Sequence, residues 1–372
     1  MRSHPNDRIR AVYQLTARDR PSARAKAEDM IVEQTVEVPA DCVPRQLRRT
    51  IVGTIEHLER VGSARWRVAC SYDVSVVGDS ILQLFNLLFG NISMLAGIRL
   101  VELHVPPVPG LPGPTFGIPG LRTLTGAAAG PLLCAAAKPV GLSPAGLGRI
   151  CHAFALGGAH IVKDDHGLAN QPAAPFRERV ARCQDAVERG NTSTGGGTLY
   201  FPNLSRGAAT LLDDLEYVRS LGCRGIMLSP LLSGPDTVRL VAAGGTVAIL
   251  SHPTFTGTLV QPGHGIAPEV LYGTLFRMIG SDGVIYPNAG GRFPFSLKSC
   301  LAINQRLRMP LDGIRPAFPV PGGGVDAADV PAWLHRYGPD TIFLVGSSLY
   351  AQRDLAAATA RLVDSMRQYG HD

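Results

Sequence analysis

From residue 131 onward the chain repeats one pattern eight times: a short apolar run, then a segment long enough for a helix. The runs are PLLCAAAK (131–138), AHIVKDD (159–165), TLYFPNL (198–204), GIMLSP (225–230), TVAILSHP (246–253), GVIYPN (283–288), AFPVPGGG (317–324) and TIFLVGSS (341–348). Between them lie segments such as 144–156, 173–189, 206–221 and 267–280. Strands that are continuously apolar are buried on both faces, and their alternation with helices marks a parallel sheet. Eight such units in about 240 residues predict a (β/α)8 barrel. A doubly wound open sheet usually has fewer strands, and no G-x-G-x-x-G follows the first run.

A barrel of about 250 residues accounts for most of the 372-residue chain but leaves a segment at its start. The leading residues read as α+β, ferredoxin-like. A strand is expected near 9–16, a polar helix near 20–31, and alternating strands at 32–38 and 64–76. Helical spacing follows over Ser80–Leu95, and a strand over 98–106. Prolines and glycines in VPPVPGLPGPTFGIPG (105–120) punctuate the crossing. The expected domains are therefore 1–112 and 113–372.

Composition narrows the function. The net charge of +6 comes from 36 basic and 30 acidic residues. Part of the excess lies at Arg2, Arg8, Arg10, Arg18, Arg20, Arg24, Lys26, Arg45, Arg48 and Arg49. Aromatics are only 6%, so the pattern lacks the stacking groups of a nucleic-acid binder. It suits a small anionic substrate. Seven scattered cysteines with no C-x-x-C pair indicate neither a disulfide framework nor a zinc site, and reduced thiols point to the cytoplasm. The uncharged run Ser80–Ile98 contains Gln83, Asn86 and Asn91 and reads as a buried helix, not a membrane span.

In such a barrel the active site lies at the C-terminal strand ends. Those ends carry Lys138; Lys163, Asp164, Asp165 and His166; Asn203; Ser229; Ser251 and His252; Asn288; and two glycine-rich loops, Gly322-Gly323-Gly324 and Gly346-Ser347-Ser348. Bare backbone N–H groups after strands seven and eight suit a phosphate. Lys163 and Asp165 share a side of their strand. As a carbamate formed with CO2, Lys163 would join Asp165 in offering hard oxygens to Mg2+. A metal there polarises a carbonyl and stabilises an enediolate.

GGAHIVKDDHGLANQP (157–172) and AAAKPVGLSP (135–144) resemble motifs of the RuBisCO large-subunit superfamily, and more closely its RuBisCO-like proteins. The resemblance covers nearly the whole chain. It implies a metal held by carbamylated Lys163, Asp165 and the following His166, with Lys138 as a catalytic lysine. FGNISM (89–94) and VEQTVEVP (32–39) resemble segments whose Asn91 and Glu33 complete a partner's site, which implies a homodimer. PVPGGGV (319–325) and LVGSS (344–348) resemble the phosphate-binding segments, implying Gly322, Gly323, Gly324, Gly346 and Ser347. Asn203, His252 and Arg292 are further candidates, His252 for proton relay or phosphate contact.

The departures exclude a carboxylase. His166 stands where RuBisCO has a glutamate ligand, which favours Mn2+ or another divalent ion over Mg2+. The loop NAGGRF (288–293) lacks the lysine placed over CO2, Val140 replaces a second lysine, and Gly322 a serine. The short length and KDDHGL motif look like those of the members that isomerise 5-methylthioribulose 1-phosphate in methionine salvage. Rival readings are a diketo-methylthiopentyl-phosphate enolase, a decarboxylase of a phosphorylated 3-oxo sugar acid, and a non-catalytic binding protein.

Overall fold

The computed structural model describes residues 8–48, 50–108, 110–325 and 327–369; Arg2 and Arg49 of the basic group lie outside them. The chain divides into two compact units. The first runs to Leu111 and takes in Thr256–Leu275; the second comprises Pro112–Phe255 and Phe276 onward.

In the first unit, β1 (Arg8–Thr16), α1 (Arg20–Thr35), β2 (Thr54–Arg60), β3 (Arg65–Asp73), α2 (Ile81–Phe89) and β4 (Ile98–His104) follow one another. The sheet order is β4-β1-β3-β2, antiparallel throughout, with Gly265–Ile266 adding in parallel beside β4. This is the ferredoxin-like arrangement.

Residues 32–38 do not form the expected strand. Asp19 caps α1 by accepting from the Ser22 N–H, and the buried face Ala23, Ala27, Met30, Ile31, Gln34 carries the helix on to Thr35. The V-E-Q-T-V alternation is real, but Gln34 belongs to the helical stripe. Its amide donates to Tyr13 Oη at 2.8 Å and accepts from Tyr72 Oη at 2.8 Å, joining α1 to β1 and β3. The true second strand, β2, is an exposed edge with a bulge between Ile55 and His57. A bulge breaks the period-two signal.

The second unit holds eight parallel strands: β5 (Leu132–Ala137), β6 (Ile161–Asp164), β7 (Leu199–Phe201), β8 (Gly225–Leu228), β9 (Ala248–Ser251), β10 (Gly283–Pro287), β11 (Phe318–Gly322) and β12 (Ile342–Val345). Each falls inside one of the eight apolar runs. They pair in the order β7-β6-β5-β12-β11-β10-β9-β8, and the parallel bridge Asn203–Met227 closes the ring. Helix α3 (Gly117–Thr125) stops the N-terminal mouth: Ile118 and Leu121 enter the core with Leu132, Ile161, Phe201, Phe318 and Ile342. Each such burial is worth about 1.5–3 kcal/mol. Asp282 fixes the plug, accepting from the N–H groups of Phe116 and Gly117 at 2.7 Å and of Ile249 at 2.8 Å. Outer helices include α4 (Pro144–Leu156) and α5 (Phe176–Thr194). All seven cysteines are free, and no helix among the described residues is long and apolar enough to cross a membrane.

Candidate active site

The pleat of β6 sorts the Lys-Asp-Asp-His run. Lys163 is only 2% exposed, and its Nζ donates to the Asp164 carbonyl at 3.1 Å. Burial, reinforced by the charge of Lys138, pushes the Lys163 pKa below that of an ordinary lysine, although Cys134 and the nearby aspartates oppose the shift. This favours the neutral amine, the form that attacks CO2. Asp165 follows the strand. Its Oδ1 accepts from the Gly167 N–H at 3.0 Å and lies 3.3 Å from His166 Nδ1, while Oδ2 lies 3.8 Å from Lys138 Nζ. Burial raises the Asp165 pKa, but the Gly167 N–H and the Lys163, His166 and Lys138 charges outweigh it and hold the carboxyl below its ordinary value.

His166 and His252 stack, with ring centres 4.5 Å apart and planes 11° from parallel. His252 Nδ1 accepts the Thr254 N–H at 3.2 Å and lies 2.6 Å from Thr254 Oγ1. A neutral ring that accepts at Nδ1 carries its proton on Nε2. Burial, with Lys163 and His166 beside it, drives the His252 pKa well below the usual value. Burial also lowers His166, with help from Lys163, Lys138 and Arg292, against the pull of Asp165. Two stacked rings so placed are both neutral near pH 7, and a neutral imidazole is the form that binds metal.

Lys138 stands at the end of β5, 37% exposed at its side chain. Tyr350 pins it: the Tyr350 hydroxyl accepts the Lys138 N–H at 3.1 Å and donates to the Ala136 carbonyl at 2.8 Å. No motif in the sequence pointed to this tyrosine. The amine lies over Gly346, where an added Cβ would sit 3.4 Å from Nζ.

The glycine loops meet backbone to backbone. A Cβ on Gly324, whose φ is +68°, would lie 2.6 Å from the Gly291 Cα. Only glycine permits this approach, which sets the loop after β10 against the one after β11. Gly322 ends β11 and Gly323 follows with φ +80°. Ser347 is exposed at the start of a four-residue helix, Ser347–Tyr350. Arg292 is exposed as well.

Several polar strand ends are engaged by other protein groups. Asn203 is wholly buried and serves the loop above it: Nδ2 donates to the carbonyls of His166 and Leu168 at 3.1 and 2.9 Å, and Oδ1 accepts from the Ser205 N–H. This is a brace, not the substrate contact expected. Ser251 Oγ pairs with Ser281 Oγ at 2.6 Å, and Asn288 Oδ1 accepts from Tyr337 Oη at 2.6 Å. In the first unit, Asn91 Nδ2 donates to Glu33 Oε1 at 2.9 Å, which brings these two candidates together there.

The donors suit a divalent ion on one condition. Among the described residues no group of three His, Cys, Asp or Glu could hold a metal. Asp165 and His166 alone are too few. A carbamate on Lys163 would supply the third donor, and the burial that favours its neutral amine fits that chemistry.

Residues 117–293 match the family described as ribulose bisphosphate carboxylase large chain, catalytic domain. A 5-methylthioribulose-1-phosphate isomerase of Rhodospirillum rubrum is 38% identical over 97% of this chain and 96% of its own. A 2,3-diketo-5-methylthiopentyl-1-phosphate enolase of Geobacillus kaustophilus is 28% identical, covering 95% and 90%. The crystal structure of a RuBisCO-like protein from Rhodopseudomonas palustris superposes with a TM-score of 0.88 at 34% identity, covering 98% and 99%.

Proposed function

The chain belongs to the RuBisCO large-chain family, among its RuBisCO-like proteins, and from that premise we propose that it is a metal-dependent isomerase of a phosphorylated ketose. The substrate we assign is 5-methylthioribulose 1-phosphate and the product 1-methylthioxylulose 5-phosphate. One observation carries the reading: Lys163, Asp165, His166 and Lys138 converge at one barrel mouth, with Lys138 3.8 Å from Asp165. The name of the R. rubrum relative supports the substrate.

The ion, Mg2+ or Mn2+, would be held by carbamylated Lys163, Asp165 and His166, and when bound it supplies charge stabilisation to an enediolate. The remaining steps fall to the chain. The phosphate would lie against the backbone N–H groups of Gly323, Gly324 and Gly346, with Ser347 and Arg292 at its edge. Lys138, fixed by Tyr350, would remove the C3 proton next to the C2 ketone and return a proton to C2, leaving the carbonyl at C3. A second transfer over C3 and C4 places it at C4, which is C2 of the renumbered product. His252 offers its Nε2–H to a substrate oxygen. Val140 is 46% exposed, and one of its methyls would sit 3.3 Å from a Cβ on Gly167. An apolar group beside the metal loop suits a thioether better than a second phosphate.

We further propose a homodimer in which Glu33 and Asn91 complete the partner's site. Met94, 78% exposed, and Leu95, at 43%, flank Asn91 with apolar surface.

Offering the purified protein, with Mg2+ and bicarbonate, the two sugar phosphates in parallel tests the assignment. Conversion of 5-methylthioribulose 1-phosphate, seen by phosphorus NMR, is the expected result. Turnover of the diketo compound alone would reassign the chain as an enolase.

A further inference from the structure

The two adjacent aspartates of the Lys-Asp-Asp-His run do different work, and the buried one has no place in the chemistry above. Asp164 is fully buried, as are Arg179 and Asn203, and Tyr200 is 1% exposed. Its Oδ1 accepts from Tyr200 Oη at 2.6 Å. Its Oδ2 accepts from Arg179 Nε at 3.2 Å and from the Asn203 N–H at 3.0 Å. One carboxylate thus ties β6 to β7 and to helix α5.

Its partners then reach back to the loop that carries Asp165 and His166. Arg179 Nη1 donates to the Ala169 carbonyl at 2.7 Å and to Ala174 at 3.3 Å. Asn203 Nδ2 donates to the carbonyls of His166 and Leu168. Loop 165–174 is therefore held at four carbonyls by two residues that Asp164 anchors, Arg179 through its guanidinium and Asn203 through its backbone N–H. Buried charge-assisted hydrogen bonds are short, directional and costly to leave unmade.

We propose that Asp164, with Arg179, Tyr200 and Asn203, is the positioning unit of the metal site: it fixes the directions of Asp165 and His166 without itself ligating. The inference rests on the metal reading of Lys163, Asp165 and His166. Both oxygens of the Asp164 carboxylate are engaged by partners on neighbouring elements. Partners behind the ligands commonly change metal affinity 10- to 100-fold.

The test is Mn2+ binding in bicarbonate buffer, by calorimetry and water-proton relaxation, for wild type, Asp164→Asn, Tyr200→Phe and Asp282→Asn. Asp282 is an equally buried brace at the opposite mouth of the barrel and serves as the control. Asp164→Asn is expected to weaken Mn2+ binding about 10- to 100-fold. Tyr200→Phe, which removes one donor to the buried carboxylate, is expected to lower Tm and to weaken Mn2+ binding several-fold. Asp282→Asn should lower Tm and leave Mn2+ affinity alone. Folded Asp164→Asn and Tyr200→Phe proteins that bind Mn2+ as tightly as wild type overturn the positioning role; if Asp164→Asn does not fold, Tyr200→Phe decides by itself. Wild-type protein that takes up no Mn2+ overturns this inference and the metal reading together. No sugar substrate enters the measurement, so an error in the substrate assignment leaves the result standing.

Discussion

Lys163 and Asp164 are neighbours in one strand, yet the pleat turns one toward the barrel mouth and the other toward a helix. The resulting division of labour makes the effects of substitution differ by residue. Replacing Lys163 with methionine keeps the buried volume but removes the amine proposed to become the carbamate. Activity and Mn2+ uptake should both be lost, by at least about 1000-fold in kcat/KM, more than 4 kcal/mol of transition-state stabilisation, while the fold persists by circular dichroism. His166→Glu should move the metal preference from Mn2+ toward Mg2+, because a hard oxygen replaces a nitrogen; titration with each ion reads this out. The importance of this run was legible in the sequence, and alternation singled out Lys163 and Asp165 as sharing a side. The burial of Asn203 was not, because an asparagine at a strand end looks the same whether it meets a substrate or three backbone groups.

At the level of elements, the eight strands were readable because each is buried on both faces and so is apolar over most of its length. Edge strand β2 carries only Ile55 and Leu58 on a bulged, solvent-facing ribbon, and periodicity fails where burial does. The same exposure argument explains α1, whose tail alternates by accident while its buried stripe does not. Two predictions belong here. Gly324→Ala forces a Cβ to 2.6 Å from Gly291 in a left-handed conformation, displacing the proposed phosphate loops. Losing one or two charge-assisted hydrogen bonds should raise KM by roughly 10- to 100-fold with a smaller effect on kcat. Asp282 concerns the plug. Burial, the dominant influence, lifts its pKa from 3.8 to about 6 against the opposing backbone N–H groups. Ionisation therefore costs more in the folded state, and this group's contribution to stability falls as pH rises from about 4 to 6. Asp282→Asn should remove that slope, seen as a flatter pH dependence of urea unfolding, and lower stability by about 1–3 kcal/mol for the acceptor it loses.

For the molecule as a whole, the proposal makes each active site a joint product of two chains. Mixing inactive Lys163→Met with inactive Asn91→Ala protein, with subunit exchange, should then restore about a quarter of wild-type activity. Half of the randomly mixed dimers are hybrids, and each hybrid has one undamaged site of two. No recovery would mean that Asn91 serves its own barrel. Under the same proposal the mild positive charge serves, at this scale, as attraction for a small phosphorylated substrate. The central claim is that this barrel moves a carbonyl by shuttling protons, and isomerising 5-methylthioribulose 1-phosphate in D2O tests it most directly. Proton NMR of the product should show deuterium at the carbons derived from C2 and C3. Product formed with no solvent deuterium at either carbon, or no product with the metal and bicarbonate both present, would contradict it.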